Sequence, residues 1–370
     1  MILNDAETSI GSYAFANSTI ISITGSNIAS ISPYAFYKCS ELQTIDLSKA
    51  RQIGIYAFTE SGLTEANVNS IESLTYSFYK CEQLTTITLP DSIAVDRELD
   101  MTGISTITFS NIGEKFFMPS LTELTFTGDM FQIQTNQPSL ETIIFTNPNI
   151  YSVSITNQFS MQKVVFPASI NGELSASFQK CVKLTTVENS NLITSLIQYM
   201  PFASCVSLET IDLSGVHEFN DEDFLNCYKL KTIIGFNDDG EHTTPYTLYG
   251  RLFRNCWNFK ISSITEGKYT FDGYSPVNTF AWTGIEELTL GYWESGGFYF
   301  FGCKNLKTVD MSSITNLDTI PKYMFRDCIS LTQVKLPSSV TSIRDYAFEN
   351  TKILIYEKRR FDILSNLLKK

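Results

Sequence analysis

The chain has 370 residues, 43% of them hydrophobic and 18% charged, and carries a formal net charge of −12. An acidic surplus of that size argues against nucleic acid as a partner, because phosphate binding needs a dense Lys/Arg surface. No run of about 18 apolar residues occurs, so nothing in the sequence reads as a membrane span.

The opening stretch, Met1-Ile-Leu-Asn-Asp-Ala, has neither a basic segment nor a long apolar core and does not read as a signal peptide. It runs almost at once into a repeated pattern, which suggests a processed form. Phe15, Phe36, Phe58 and Phe78 then recur at intervals of 20 to 22 residues. All eight cysteines lie three places after such a phenylalanine: Cys39, Cys81, Cys181, Cys205, Cys227, Cys256, Cys303 and Cys328. Three places further on stands Leu (Phe259 in one copy), giving Phe-x-x-Cys-x-x-Leu. Thiols that obey one spacing mark a tandem repeat.

Cys81-Glu-Gln-Leu84-Thr-Thr-Ile87-Thr-Leu89-Pro90 gives a longer unit, matched by Cys328-Ile-Ser-Leu331-Thr-Gln-Val334-Lys-Leu336-Pro337. Alternation of apolar and polar residues predicts a short strand with one buried face, ended by a proline that lacks an N–H. A second phrase, as in Val340-Thr-Ser-Ile343-Arg-Asp-Tyr346-Ala-Phe348, leads to the next phenylalanine. Ser18, Ser61 and Thr351 take the cysteine place in units without a thiol. Between residues 96 and 170 the phrase erodes. Strand-like pieces remain there as Ile104-x-x-Ile107-x-Phe109, Leu121-x-x-Leu124-x-Phe126, Leu140-x-x-Ile143-x-Phe145 and Met161-x-x-Val164-x-Phe166.

The Tyr-Ala-Phe and Cys-x-x-Leu-x-x-Ile-x-Leu-Pro phrases resemble the BspA-like (Treponema-type) leucine-rich repeats, most clearly in residues 31–90 and 317–350. The resemblance implies a repeat solenoid, a leucine-rich repeat superhelix. Short parallel β-strands would line its concave face, with irregular, 3-10 or short helical segments on the convex side. Stacked coils of this kind share a core that none of them buries alone. About sixteen units are expected over residues 1–355, irregular in 96–170 and longer in 225–280. Residues 356–370 read as a short helix with Phe361, Leu364 and Leu368 on one face, placed to cap the last coil.

The cysteines are expected to be structural. Eight thiols in an exported chain could pair as four disulfides, but coils stacked in register set their Cβ vectors parallel, which is poor bridge geometry. Each is read instead as a small buried group bonding to neighbouring backbone. No Cys-x-x-Cys pair exists, and His217 and His242 have no ligand-spaced partners, so no metal or other cofactor is expected.

Two surfaces are candidates for binding. Outward strand residues, among them Thr86, Thr88, Asp212 and Asp310, should line the concave face, though Thr is also ordinary strand filler. The interval between phenylalanines also jumps from 22 residues (Phe202 to Phe224) to 29 and 27 (Phe224 to Phe253 to Phe280). The extra length holds a polar, turn-rich loop at 237–245. The same region carries Tyr246, Tyr249, Trp257, Tyr274, Trp282, Tyr292 and Trp293. Such rings either fill an irregular core or form a recognition surface for protein or sugar.

Catalytic constellations are missing from the sequence: there is no nucleophile elbow, phosphate-cradling glycine loop or His-Glu-x-x-His pair. The expected function is therefore non-enzymatic binding. The resemblance implies a secreted or cell-surface, adhesion-type protein whose partners are host or neighbouring-cell proteins of the extracellular-matrix type, such as fibronectin and fibrinogen. Glycans are the other partner class expected. The alternatives are a cytoplasmic scaffold or a structural spacer without its own ligand.

Overall fold

The computed structural model describes the chain apart from residues 4–5, 7, 26, 91–92, 96–98, 113–116, 198, 217, 237–245, 249, 262, 265–268, 272–277, 292, 294–299 and 354–370. The expected capping helix and the 237–245 loop lie outside the described residues. Contacts divide the chain into two units, Met1–Leu174 with Cys181–Asn189, and Ser175–Lys180 with Ser190–Lys370. Each is a parallel β-solenoid whose coils, where described, are built of short strands and a turn.

The Leu-x-x-Ile-x-Leu phrase forms the first ladder of strands. In the first unit Ser22–Ile23 pairs with Thr44–Ile45, and Glu65–Asn67 with Thr86–Thr88. A five-stranded sheet follows, in the order Thr106–Phe109, Glu123–Phe126, Thr142–Phe145, Lys163–Val165, Thr186–Glu188. In the second unit Thr210–Asp212 pairs with Thr232–Ile234. Ser263–Ile264, Glu287–Leu290, Thr308–Asp310 and Gln333–Lys335 make a further sheet. Register places like on like, with Phe126 beside Phe109 and Phe145. Thr106–Phe109 alternates outward Thr with buried Ile107 and Phe109, the period of two that its sequence predicts.

The second phrase is also a strand ladder, a feature the sequence reading did not include. Thr8–Ile10, Ile28–Ile31 and Gln52–Ile53 pair in parallel in the first unit, as do Met130–Ile133 and Ser152–Ile155. Glu218–Phe219, Tyr246–Leu248 and Tyr269–Phe271 do so in the second, as do Thr319–Ile320 and Ser342–Ile343. These strands are two to four residues long, too short for periodicity to announce them. The third side of each coil is a turn. The only helical piece among the described residues is a 3-10 turn at Ser190–Leu192.

That turn holds residues two places before and two places after its phenylalanine in the left-handed region. Tyr34 and Lys38 (φ 60° each), Tyr56 and Glu60 (57° each), and Tyr76 and Lys80 (51° and 56°) are examples. The conformation lets the turn hydrogen-bond coil to coil: Phe36 N donates to Ala57 O at 2.8 Å and Lys38 N to Thr59 O at 2.9 Å. The phenylalanine rings then stack along the core, 5.1 Å apart between Phe15 and Phe36 and between Phe36 and Phe58. Phe280, Phe300, Phe325 and Phe348 form a like column within the second unit.

In residues 96–170 the pattern erodes without loss of the ladder. The aromatic ring moves from the turn to the end of the strand. Phe109, Phe126, Phe145 and Phe166 are all buried and touch in sequence. Where cysteine is missing, fully buried glutamines bond between coils. Gln137 Oε1 accepts from Met118 N (2.8 Å), and Gln158 Oε1 accepts from Gln137 N (3.0 Å).

Candidate functional site

All eight cysteines are buried and free. Seven donate Sγ–H to the carbonyl of the turn phenylalanine one coil back, as in Cys39 to Phe15 O (2.9 Å), Cys205 to Phe178 O (3.0 Å) and Cys328 to Phe300 O (3.1 Å). The eighth, Cys181, follows the eroded segment and points to Ile155 O at 3.6 Å. Burial pushes the Cys81 thiol up to about 11 and the Cys181 thiol up to about 12. Such thiols stay protonated near neutral pH and are poor nucleophiles.

On the first ladder, residues 23–25, 44–47, 65–67, 86 and 88, in and just after four successive strands, enclose a trough of about 780 Å³. Its exposed walls are Thr44, Asp46, Glu65, Asn67, Thr86 and Thr88, and buried Ile23, Ile45 and Ala66 form its floor. Thr86 and Thr88 are thus brought together on one surface of the first unit.

Asp212 and Asp310 have a different position. Both are half-buried, and each closes its strand: Asp212 Oδ1 accepts from Ser214 N and Oγ (3.0 and 2.8 Å), and Asp310 Oδ1 from Ser312 N and Oγ (3.0 and 2.6 Å). Lys335 Nζ, 2.8 Å from Asp310 Oδ2, helps hold that carboxyl down at about 2. The recurring Asp-x-Ser spacing, present also at Asp46 and Ser48, was the sequence signal for this turn.

The aromatic cluster divides. Trp293, a candidate recognition residue, is buried at 8% exposure and belongs to the core. Tyr249, Tyr274 and Tyr292, and the side chain of Tyr246, lie outside the described residues. Trp257 is 55% exposed and stacks at 4.4 Å on Tyr228 of the preceding coil. Trp282 is half-buried, with Phe301 edge-on at 4.6 Å and the Arg254 guanidinium 5.2 Å from its ring. Trp257 and Trp282 share a recess of about 470 Å³ with Asn255, Gly302, Lys304 and Asn305.

The sequence reading missed a third surface. Tyrosines two places before successive turn phenylalanines form an outer column in the first unit. Tyr13–Tyr34, Tyr34–Tyr56 and Tyr56–Tyr76 are 4.9, 5.4 and 5.5 Å apart. Tyr37 and Tyr79 meet the column edge-on. The fixed Tyr-to-Phe offset was its signal, hidden because Tyr-Ala-Phe also served as a repeat marker.

These features define a class: a leucine-rich repeat solenoid with a buried thiol ladder on one side and exposed polar and aromatic rows on others. The chain belongs to the BspA-type leucine-rich repeat family, whose model matches in overlapping segments at residues 8–123, 66–160, 131–260 and 247–359. The structure is similar to a leucine-rich repeat protein from Bacteroides ovatus (17% identity, 92% of this chain and 79% of that one, TM-score 0.30). It is also similar to a leucine-rich cell-surface protein from Faecalibacterium prausnitzii (17%, 94% and 87%, TM-score 0.27). A leucine-rich repeat protein from Eubacterium ventriosum is a third likeness (17%, 95% and 76%, TM-score 0.23). No curated protein matches the chain. Among the described residues no helix is long and apolar enough to cross a membrane.

Proposed function

We propose that this protein is a non-enzymatic recognition module, displayed at the cell surface or secreted, that binds a protein partner along the trough of its first unit. The observation that carries this reading is the trough itself. Four successive strands present short, exposed Thr, Asn, Asp and Glu side chains over an apolar floor. Short β-branched and amide side chains lose little rotamer entropy when a partner covers them. Asp46 and Glu65, on a chain of net charge −12, favour a partner that offers a basic or hydroxyl-rich segment. Membership of the BspA-type family supports the surface location and an adhesion-type, matrix-protein partner.

The test is binding of the purified chain to immobilised fibronectin and fibrinogen, compared with a Thr44→Arg/Asn67→Arg/Thr86→Arg variant. All three side chains are exposed, so the melting temperature should hold while capture is lost. Capture that survives in the variant places the partner elsewhere and overturns the reading.

A further inference from the structure

We infer that the Trp257–Trp282 recess of the second unit is a sugar-binding site for one neutral pyranose ring of an oligosaccharide. The inference rests on the reading of the protein as a recognition module but concerns a surface separate from the trough. Nothing in the repeat demands tryptophan at either place. The position two after the turn phenylalanine is left-handed and elsewhere holds glycine or a polar residue, such as Asn17, Lys38, Ser204, Asn226, Asn255 or Asp327. Trp282 sits there at φ 57°, the one aromatic residue at this place among the described turns, although tyrosines take the same conformation two places before the phenylalanine. The position after the cysteine is otherwise Ser40, Glu82, Val182, Val206, Tyr228, Lys304 or Ile329. Trp257 occupies it with more than half its surface exposed. Two indoles at variable positions of adjacent coils, one of them more than half exposed, mark a site selected for something other than folding.

The neighbouring coil is shaped to fit. Gly302, at the position equivalent to Trp282, has φ 71°. A Cβ there would lie 2.4 Å from Trp282 Nε1, so glycine is what gives the indole its space. Tyr228 backs one face of Trp257 and is not among the lining residues, which leaves the opposite face for the recess. Asn255, Lys304 and Asn305 line the same recess.

An exposed indole that shares a recess with amides and an ammonium matches a pyranose. The ring's axial C–H groups form an apolar face that packs on the indole, and its equatorial hydroxyls find donors and acceptors at the rim. The volume suits one or two sugar rings and lies within the range of small-ligand sites. The recess is made by turns, so it offers no strand edge to an extended peptide. The net charge of −12 favours neutral over polyanionic sugars.

The experiment is saturation-transfer NMR with tryptophan fluorescence on the full chain, using maltose, lactose, mannobiose and chitobiose, with oligogalacturonate as the acidic counterpart. At least one neutral disaccharide should bind through its C–H protons. Trp257→Ala should weaken it by about tenfold or more at unchanged melting temperature, with Trp257→Phe partly restoring it. Binding that persists in Trp257→Ala, or oligogalacturonate as the only ligand, overturns the proposal. If no sugar binds while the chain still captures protein through the trough, the recess proposal fails and the function above stands. If sugar binds and the trough substitutions leave protein capture intact, the reverse holds.

Discussion

At the scale of the residue, one thiol answers one carbonyl. The phenylalanine carbonyl of a turn accepts an N–H within that turn, as from Ser18 N to Phe15 O at 2.9 Å, and keeps a second lone pair for a donor from the next coil. Cysteine supplies a weak one while occupying little volume, and Ser or Thr serves alongside it, as where Thr283 Oγ1 lies 3.3 Å from Cys303 Sγ. Thiol reagent at pH 8 should therefore label none of the eight cysteines in the native protein and all of them after denaturation. Rapid native labelling would remove the thiols from the core. Asp223 breaks the same economy. It is fully buried, immediately before Phe224, where other coils place Ala35, Ala57 or Ser77. Its Oδ2 accepts from Asn220 N at 2.6 Å, but Oδ1 has no partner among the described residues. Burial raises this carboxyl well above its usual range. Because the folded pKa exceeds the unfolded one, the penalty is absent below about pH 3.9, where both states are protonated, and grows as pH rises through the folded value. Asp223→Ser should accordingly stabilise the protein by about 1–3 kcal/mol at neutral pH. That gain should vanish in denaturant melts near pH 3. The cysteine role was legible because it is periodic. The positions of Asp212 and Asp310 were not, because a carboxylate two residues before serine reads equally as a ligand or as a turn.

At the scale of the element, two strands and a left-handed turn repeat with the composition of each free to drift. The first ladder was legible from its alternation, even in residues 96–170, where four apolar phrases became four of the five strands in one sheet. The second ladder was not, since two to four residues cannot display a period. The left-handed turn also escaped notice, because Asn17, Asn226, Asn255 and Gly302 hold only some of its positions while Tyr, Lys and Glu hold many others. In the eroded segment glutamine replaces the thiol, and its longer side chain reaches backbone N–H groups. Gln137→Leu would keep most of the volume and the backbone bond to Gln158, but take from Met118 N–H its acceptor and from Thr135 O the Gln137 Nε2 donor. It should cost about 1–3 kcal/mol in urea unfolding. An unchanged midpoint would mean that this ladder carries no stability.

At the scale of the whole molecule, the sequence conveys period and core far better than it conveys surfaces. The trough gathers residues from four coils and the recess from three, so each is an adjacency that only stacking creates. Trp257 and Trp282 were singled out as a pair of large rings near an insertion. What separates them from Trp293 is burial, which depends on the local path of the backbone. Both units build stability from contacts between successive coils, since the bonds described here join residues about one repeat apart.

The thiol-to-carbonyl bond has a consequence for how such a gene changes. Donor and acceptor are both carried at fixed places in each coil that keeps the Phe-x-x-Cys phrase, so a duplicate of such a coil arrives already able to bond on both sides. The same bond makes an excised coil heal without a scar. Insertions of part of a coil have no such provision and must be expelled as loops. Lineages of this protein should therefore differ in length by whole coils, and its exposed rows should grow or shrink by whole steps while each remaining step keeps its chemistry.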